Sequence, residues 1–214
     1  MLRDLTSFFK KLGYGWRRWR KGLRAKQNPQ ELAKKKGQLE LLEKLEQEKQ
    51  IDLFYLDESG FCLTPCIPYA WQEKGQVVEL PCSKSKRLSV LGFYNRNNEF
   101  YPFSTTDKID SKFVIEAIDT FVERVCRPTV LVLDNASVHR SKLFVSKIEQ
   151  WMAKDLYIFY LPKYSPHLNI IETLWRFIKY EWIQIEAYLS WENLVKNLEN
   201  IFDQIGSKFT INFT

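Results

Sequence analysis

The run Leu131-Val132-Leu133-Asp134-Asn135-Ala136-Ser137-Val138-His139 has the signature of a buried strand, an acid at the strand's end and a turn into a helix. Two other stretches share that design. Leu53-Phe54-Tyr55-Leu56-Asp57 precedes it, and Pro166-His167-Leu168-Asn169-Ile170-Ile171-Glu172 follows it. Each delivers a carboxylate at the edge of a hydrophobic element. A fold that satisfies all three is expected to gather the acids at one sheet edge, within the reach of one metal site.

The pattern around these runs supports such a sheet. Residues 51–56 read as the first core strand, 87–94 as a second and 99–104 as a third, with the polar turn Asn95-Arg96-Asn97-Asn98 between the last two. Gly75 marks a turn before Val77-Val78. Residues 109–124 then carry helical spacing through Phe113, Ile115, Ile118, Phe121 and Val122. From there strands over 129–134 and 156–161 alternate with helices over 141–153 and 168–182, which implies parallel crossovers. A final helix spans about 191–205 and stops at Gly206. An antiparallel meander followed by β-α-β-α on one sheet is the ribonuclease-H-like α/β arrangement, a mixed sheet flanked by helices. In it the first strand and the first parallel strand lie side by side, so Asp57 and Asp134 converge at the carboxyl ends of their strands.

Upstream, residues 28–50 form a connector helix. Asn28-Pro29-Gln30-Glu31 supplies an N-cap, a proline in the first turn and an acid, and Leu32, Leu39, Leu42 and Leu45 make an apolar stripe. Residues 5–12 read as a short helix closed by Gly13. The short helix reads as the last of something longer, and the expected division is that helix with a basic linker over 1–27, the connector over 28–50 and the sheet domain over 51–214.

Charge separates these parts. Residues 1–26 contain nine Lys or Arg and one acid, while the remainder holds 23 basic and 25 acidic residues. The positive excess therefore sits in the N-terminal arm, the footprint of a phosphate-backbone binder. Within it Trp16 and Trp19 interleave with Arg17, Arg18, Arg20, Lys21, Arg24 and Lys26, a composition suited to backbone contact and stacking. A solvated linker is the plainer alternative. There is no run of eighteen apolar residues and no secretory leader, so a soluble intracellular protein without a membrane partner is expected. Cys62, Cys66, Cys82 and Cys126 are too few for a disulfide framework, and the two histidines lack the spacing of a zinc site.

Three convergent carboxylates with no required His or Cys suit Mg2+ or Mn2+, which favour oxygen ligands. Two such ions, about 3.5–4 Å apart, would serve phosphodiester cleavage. Asp57 would bridge both and Asp134 and Glu172 would hold one each. Each acid also has an ordinary structural reading: a strand-end residue for Asp57, an Asx turn or cap for Asp134, a solvated helix position for Glu172. Glu58 points to the other face of the pleat. Asn135 and His139 are auxiliary candidates, His139 either orienting a phosphate or water or capping the next helix. Lys163 lies on the loop before the third acid, Asn169 is placed to cap the helix carrying Glu172, and Trp175 reads as core.

Leu56-Asp57-Glu58-Ser59-Gly60-Phe61, Leu133-Asp134-Asn135-Ala136 with His139, and the block from Leu161-Pro162-Lys163-Tyr164-Ser165-Pro166 through His167-Leu168-Asn169-Ile170-Ile171-Glu172-Thr173-Leu174-Trp175 resemble the three motif blocks of DDE transposases. The likeness is nearest to the bacterial insertion-sequence branch of the mariner-like superfamily and covers roughly residues 14–214. It implies Asp57, Asp134 and Glu172 as a catalytic and metal-binding triad. It implies hydrolytic nicking of double-stranded DNA at transposon ends and transfer of the freed 3′-hydroxyl into target DNA, typically at TA. A homodimer on DNA in a bacterial, nucleoid-associated cytoplasmic setting follows from the same likeness. Relatives carry a full helix-turn-helix region before the catalytic domain, whereas here only its last helix is recognisable. The expectation is a downstream frame of a split element, with an upstream-encoded helix-turn-helix partner, or a decayed copy. A non-catalytic DNA-binding remnant that regulates a full-length relative, and a ribonuclease-H-like nuclease outside transposition, are the competing readings.

Overall fold

Leu53 and Tyr55 are buried in one hydrophobic cluster, and Phe54 and Leu56 in another, as the period-two alternation of a strand requires. They belong to β1 (Asp52–Phe61), the middle strand of a five-stranded sheet. The computed structural model describes residues 7–8, 11–14, 27–66, 74–75 and 86–213. Strand order is β3-β2-β1-β4-β5, with β2 (Leu88–Tyr94), β3 (Phe100–Thr105), β4 (Thr129–Leu133) and β5 (Leu156–Tyr160). The β1–β2 and β2–β3 pairs are antiparallel, and β1–β4 and β4–β5 are parallel. All five residues of β4, Thr-Val-Leu-Val-Leu, are buried, as expected of a strand covered on both faces.

Helices cover both faces. On one side lies α1 (Pro29–Gln47), whose N-cap Asn28 accepts hydrogen bonds from the Gln30 and Glu31 amides. It buries Leu39 in a cluster that also holds Tyr55, Val132 and Trp175. On the other side α2 (Ser111–Val122) buries Val114, Ile115, Ala117, Ile118, Phe121 and Val122 against Phe54, Leu131 and Leu133. Asp110 caps α2 through the Phe113 amide at 2.9 Å.

Several expected boundaries shift for local reasons. β1 does not stop at Leu56. Its parallel neighbour ends at the Tyr55–Val132 pair, but antiparallel pairing with β2 continues to Phe61–Leu88, so Asp57 lies within a strand. The helix expected over 141–153 is broken into α3 (Lys142–Val145) and α4 (Ile148–Met152). Ser146 marks the break, its hydroxyl donating to the Leu143 carbonyl at 2.8 Å and competing with the helical ladder. The helix expected over 168–182 is a 3-10 turn (Pro166–Leu168), α5 (Ile171–Phe177) and a π-turn (Ile178–Trp182). A 3-10 turn (Ile185–Leu189) leads to α6 (Trp191–Asp203), capped by Ser190. Of the helix expected over 5–12, Ser7, Phe8 and Lys11 are described and helical, and Gly13 follows at φ +79°. The Val77-Val78 segment and Cys82 lie outside the described residues. Among the described residues no helix is long and apolar enough to cross a membrane.

Candidate active site

The pleat decides which way the first two acids face. Leu53 and Tyr55 point to the face covered by α1, and Val130 and Val132 of β4 point the same way. Two residues further along each strand the same parity reaches Asp57 and Asp134. The parallel register pairs Tyr55 with Val132, so continuing it by two residues sets Asp57 and Asp134 level on adjacent chains. On that same face α5 buries Ile171, Leu174 and Trp175, and its exposed side carries Glu172. The three acids thus line one cavity of about 360 Å³, together with Asn135, Asn169 and the 161–166 loop. Glu58, one residue on, faces a different cavity, as alternation demands.

The electrostatics of the three differ. Burial and the nearby Glu172 carboxylate push Asp57 up to about 7, with Asp134 and Glu58 adding to the effect. Glu172 is also raised, by burial first and then by Asp134, while Lys179 opposes the shift. Asp134 goes the other way. Burial favours its neutral form, but hydrogen bonds from the His139 ring and the Ala136 amide outweigh that and hold it below the usual carboxylate range. The Ala136 amide donates to Asp134 Oδ1 at 2.9 Å, an Asx turn.

His139 neither caps the next helix nor faces solvent. Ser141 supplies the cap, accepting from the Phe144 amide at 3.2 Å. The His139 ring is buried, with Nδ1 3.0 Å from Asp134 Oδ1 and 3.2 Å from the Asp134 carbonyl. A carbonyl only accepts, so Nδ1 is assigned as the protonated nitrogen, and the ring orients the carboxylate. Asn135 Nδ2 donates to the Leu161 carbonyl and ties the β4 turn to the loop on the other side of the cavity.

Asn169 was expected to cap the helix of Glu172 and does something else. Its Nδ2 crosses to the Leu56 carbonyl at 3.1 Å, and its Oδ1 is buried without a hydrogen-bond partner among the described residues. The amide therefore locks α5 against the residue that precedes Asp57, and α5 begins only at Ile171 without a side-chain cap. A buried Asn inside an apolar run is the one sequence signal for such a cross-link. Trp175 is core, 3% exposed, as expected. Lys163 is exposed at the cavity's lip. Trp16, Arg17, Arg18, Trp19, Arg20, Lys21, Arg24 and Lys26 lie outside the described residues. Gln27, which sequence reasoning passed over, bonds to the loop beside Lys163.

The donors suit a hard divalent cation: three carboxylates in one cavity, two of them raised by burial and by their acidic neighbours, and an orphaned amide oxygen beside them. Among the described residues no three His, Cys, Asp or Glu side chains form a ready-made cage for an ion. Mg2+ needs none, because it keeps several waters and binds through one or two carboxylates.

A family model described as "DDE superfamily endonuclease" matches residues 52–195. The fold is similar to that of the Mos1 strand transfer complex, with a TM-score of 0.60 and 13% identity over 95% of this chain and 64% of that one. The Mos1 mariner paired-end complex with Mn gives 0.58 and 13%, over 94% and 63%. The catalytic domain of Mos1 mariner transposase gives 0.50 and 12%, over 88% and 85%. This chain spans less than two thirds of the length of the first two. No curated protein matches the sequence significantly. At these identities the likeness is one of fold, and that fold is ribonuclease-H-like.

Proposed function

This chain belongs to the DDE endonuclease superfamily, and from that premise we propose that it is a transposase catalytic domain that cuts DNA at transposon ends and joins it to target DNA. The bacterial insertion-sequence branch of the mariner-like group is the proposed subfamily. One observation carries the reading: three carboxylates from separate elements, Asp57, Asp134 and Glu172, line a single cavity on one face of the sheet.

Asp57 is the proposed central ligand, because burial and then its acidic neighbours penalise its charge until a cation shares it. Asp134 enters ionised, its rotamer held by His139 and the Ala136 amide. Glu172 approaches from α5, which Asn169 fastens to the strand carrying Asp57. Mg2+ or Mn2+ held by these oxygens, two ions in the full site, would activate the attacking water or 3′-hydroxyl and stabilise the leaving oxygen. Lys163 stands at the lip of the cavity to meet a phosphate.

The partner is double-stranded DNA. The related Mos1 structures are paired-end and strand-transfer complexes; a homodimer on DNA is the corresponding proposal here. Residues 1–27 would carry the basic linker and part of a DNA-binding region, 28–50 the connector and 51–214 the catalytic domain. The proposed setting is the bacterial cytoplasm, at the nucleoid.

The test is nicking of supercoiled plasmid DNA by the purified chain in Mg2+ or Mn2+. Asp57→Asn, Asp134→Asn and Glu172→Gln should each abolish it, and Asp134→Asn should bind DNA as well as the parent or more tightly, since it removes a repulsive charge. Metal-dependent nicking that survives in Asp134→Asn would take that residue out of the site.

A further inference from the structure

The loop that carries Lys163 into the cavity contains a strained residue. Tyr164 has φ +61°, a left-handed conformation that a bulky side chain adopts at a cost. Its neighbour Ser165 is a buried hydroxyl, 4% exposed. Both are held by one side chain from the far end of the chain: Gln27 Nε2 donates to the Tyr164 carbonyl at 2.6 Å and to Ser165 Oγ at 3.3 Å.

Gln27 is itself fixed. It directly precedes Asn28, the cap of α1. That helix is anchored to the sheet by Leu39, by the Arg96–Glu43 pair at 2.5 Å and by Tyr55 Oη donating to Glu43 at 3.2 Å. From Ser165 a relay of short turns leads to the third acid. The Leu168 amide donates to the Ser165 carbonyl at 3.1 Å, the Asn169 amide to Pro166 at 2.9 Å, and the Glu172 amide to Asn169 at 3.1 Å.

We propose that Gln27 is a positioning residue for the third carboxylate: its amide clasps the 163–166 loop and, through these turns, holds Glu172 at the cavity. The proposal rests on the reading of Glu172 as part of the catalytic site. It gives the junction between the basic arm and α1 a second task. The residue that ends the arm also sets the geometry of the cavity.

Hydrogen exchange of segment 163–172 in the metal-free chain tests this without any activity. Gln27→Ala should speed exchange of the Leu168 and Asn169 amides roughly fivefold to tenfold, the factor for one lost hydrogen bond, with little change in Tm. Gln27→Glu keeps the side chain's size but lacks the donors, and should behave like Gln27→Ala. Adding Tyr164→Asn to Gln27→Ala should restore most of the protection, since Asn adopts positive φ more readily. With a cleavable DNA substrate, Gln27→Ala should lower kcat and leave KM unchanged. Exchange in Gln27→Ala that matches the parent, or a Gln27→Glu variant that behaves as the parent, would overturn the clasp. If the intact chain cuts no DNA, the proposed function fails, while the exchange comparison still decides the clasp.

Discussion

In the metal-free chain Asp57 titrates near neutrality, because burial and Glu172 push it up to about 7 from an ordinary value of 3.8. Between those values the folded chain holds a proton that the unfolded chain has released. Stability therefore falls as pH rises through about 4 to 7, the reverse of a salt-bridged aspartate. Asp57→Asn removes the penalty. In EDTA at pH 8 it should stabilise the chain by ~2 kcal/mol after allowance for partial solvation, or roughly 4–8 °C in Tm. It should also abolish stabilisation by added Mg2+, which in the parent offsets the same penalty. Differential scanning fluorimetry at pH 5 and pH 8 checks both, and a lower Tm for Asp57→Asn at pH 8 would contradict the account. The same titration makes cation affinity rise with pH up to about 7, since the ion must displace the proton.

Among the described elements, α1 has an electrostatically unbalanced attachment. Arg96, from the β2–β3 turn, bonds Glu43 at 2.5 Å, while its Nε lies 3.9 Å from Glu46 Oε2, too far for a hydrogen bond. One guanidinium thus serves two glutamates, and burial pushes Glu46 up to about 7, with Arg96 opposing and Glu43 and Asp52 adding. Glu46→Gln should stabilise the chain by ~1–2 kcal/mol at pH 8 and by almost nothing at pH 3, where the carboxyl is protonated in both states. Equal effects at the two pH values would show that Glu46 is already balanced. On the face that carries Asp57 a glycine matters for packing. Gly92 of β2 pairs with Asp57, and a Cβ there would lie 2.8 Å from the Trp175 ring and 2.6 Å from Phe100. Trp175 is buried in the core, and Phe100 packs edge-on against it. Gly92→Ala should destabilise by roughly 1–3 kcal/mol. Because Trp175 is one turn from Glu172, nicking should fall further than the Tm shift explains; a variant with full activity would separate α5 from that contact.

Across the whole molecule charge is unevenly placed. The arm over residues 14–26 holds six cations, Arg17, Arg18, Arg20, Lys21, Arg24 and Lys26, and the remainder from residue 27 has a small acidic excess. If four of the six meet phosphates, deleting residues 1–26 should flatten the slope of log affinity against log salt by about 3–4 units. Replacing Trp16 and Trp19 with Ala should weaken binding with little change of slope, since stacking releases no counterions. A salt titration of duplex binding for the three proteins reads this out. An unchanged slope on deletion would assign binding to cations around the cavity, Lys163, Arg176 and Lys179.

Sheet order, strand direction and the shared face of Asp57 and Asp134 were legible in the sequence, because they follow from short periods. Strand parity repeats every two residues, and an alternating strand–helix pattern leaves little choice of topology. The Asn28 cap and the burial of Trp175 were legible for the same reason. The tertiary structure decided what depends on sub-ångström packing between distant segments. Asn169 looked like a helix cap from its neighbours, yet its amide spans 113 positions to the Leu56 carbonyl. His139 could have oriented a phosphate or water or capped the next helix, yet its ring turns inward onto Asp134. Gln27 carried no pattern at all, and it reaches Tyr164 across 137 positions. Hydrophobic periodicity encodes which face is buried, whereas a hydrogen bond between remote side chains exists only once the backbone of both has been fixed in space.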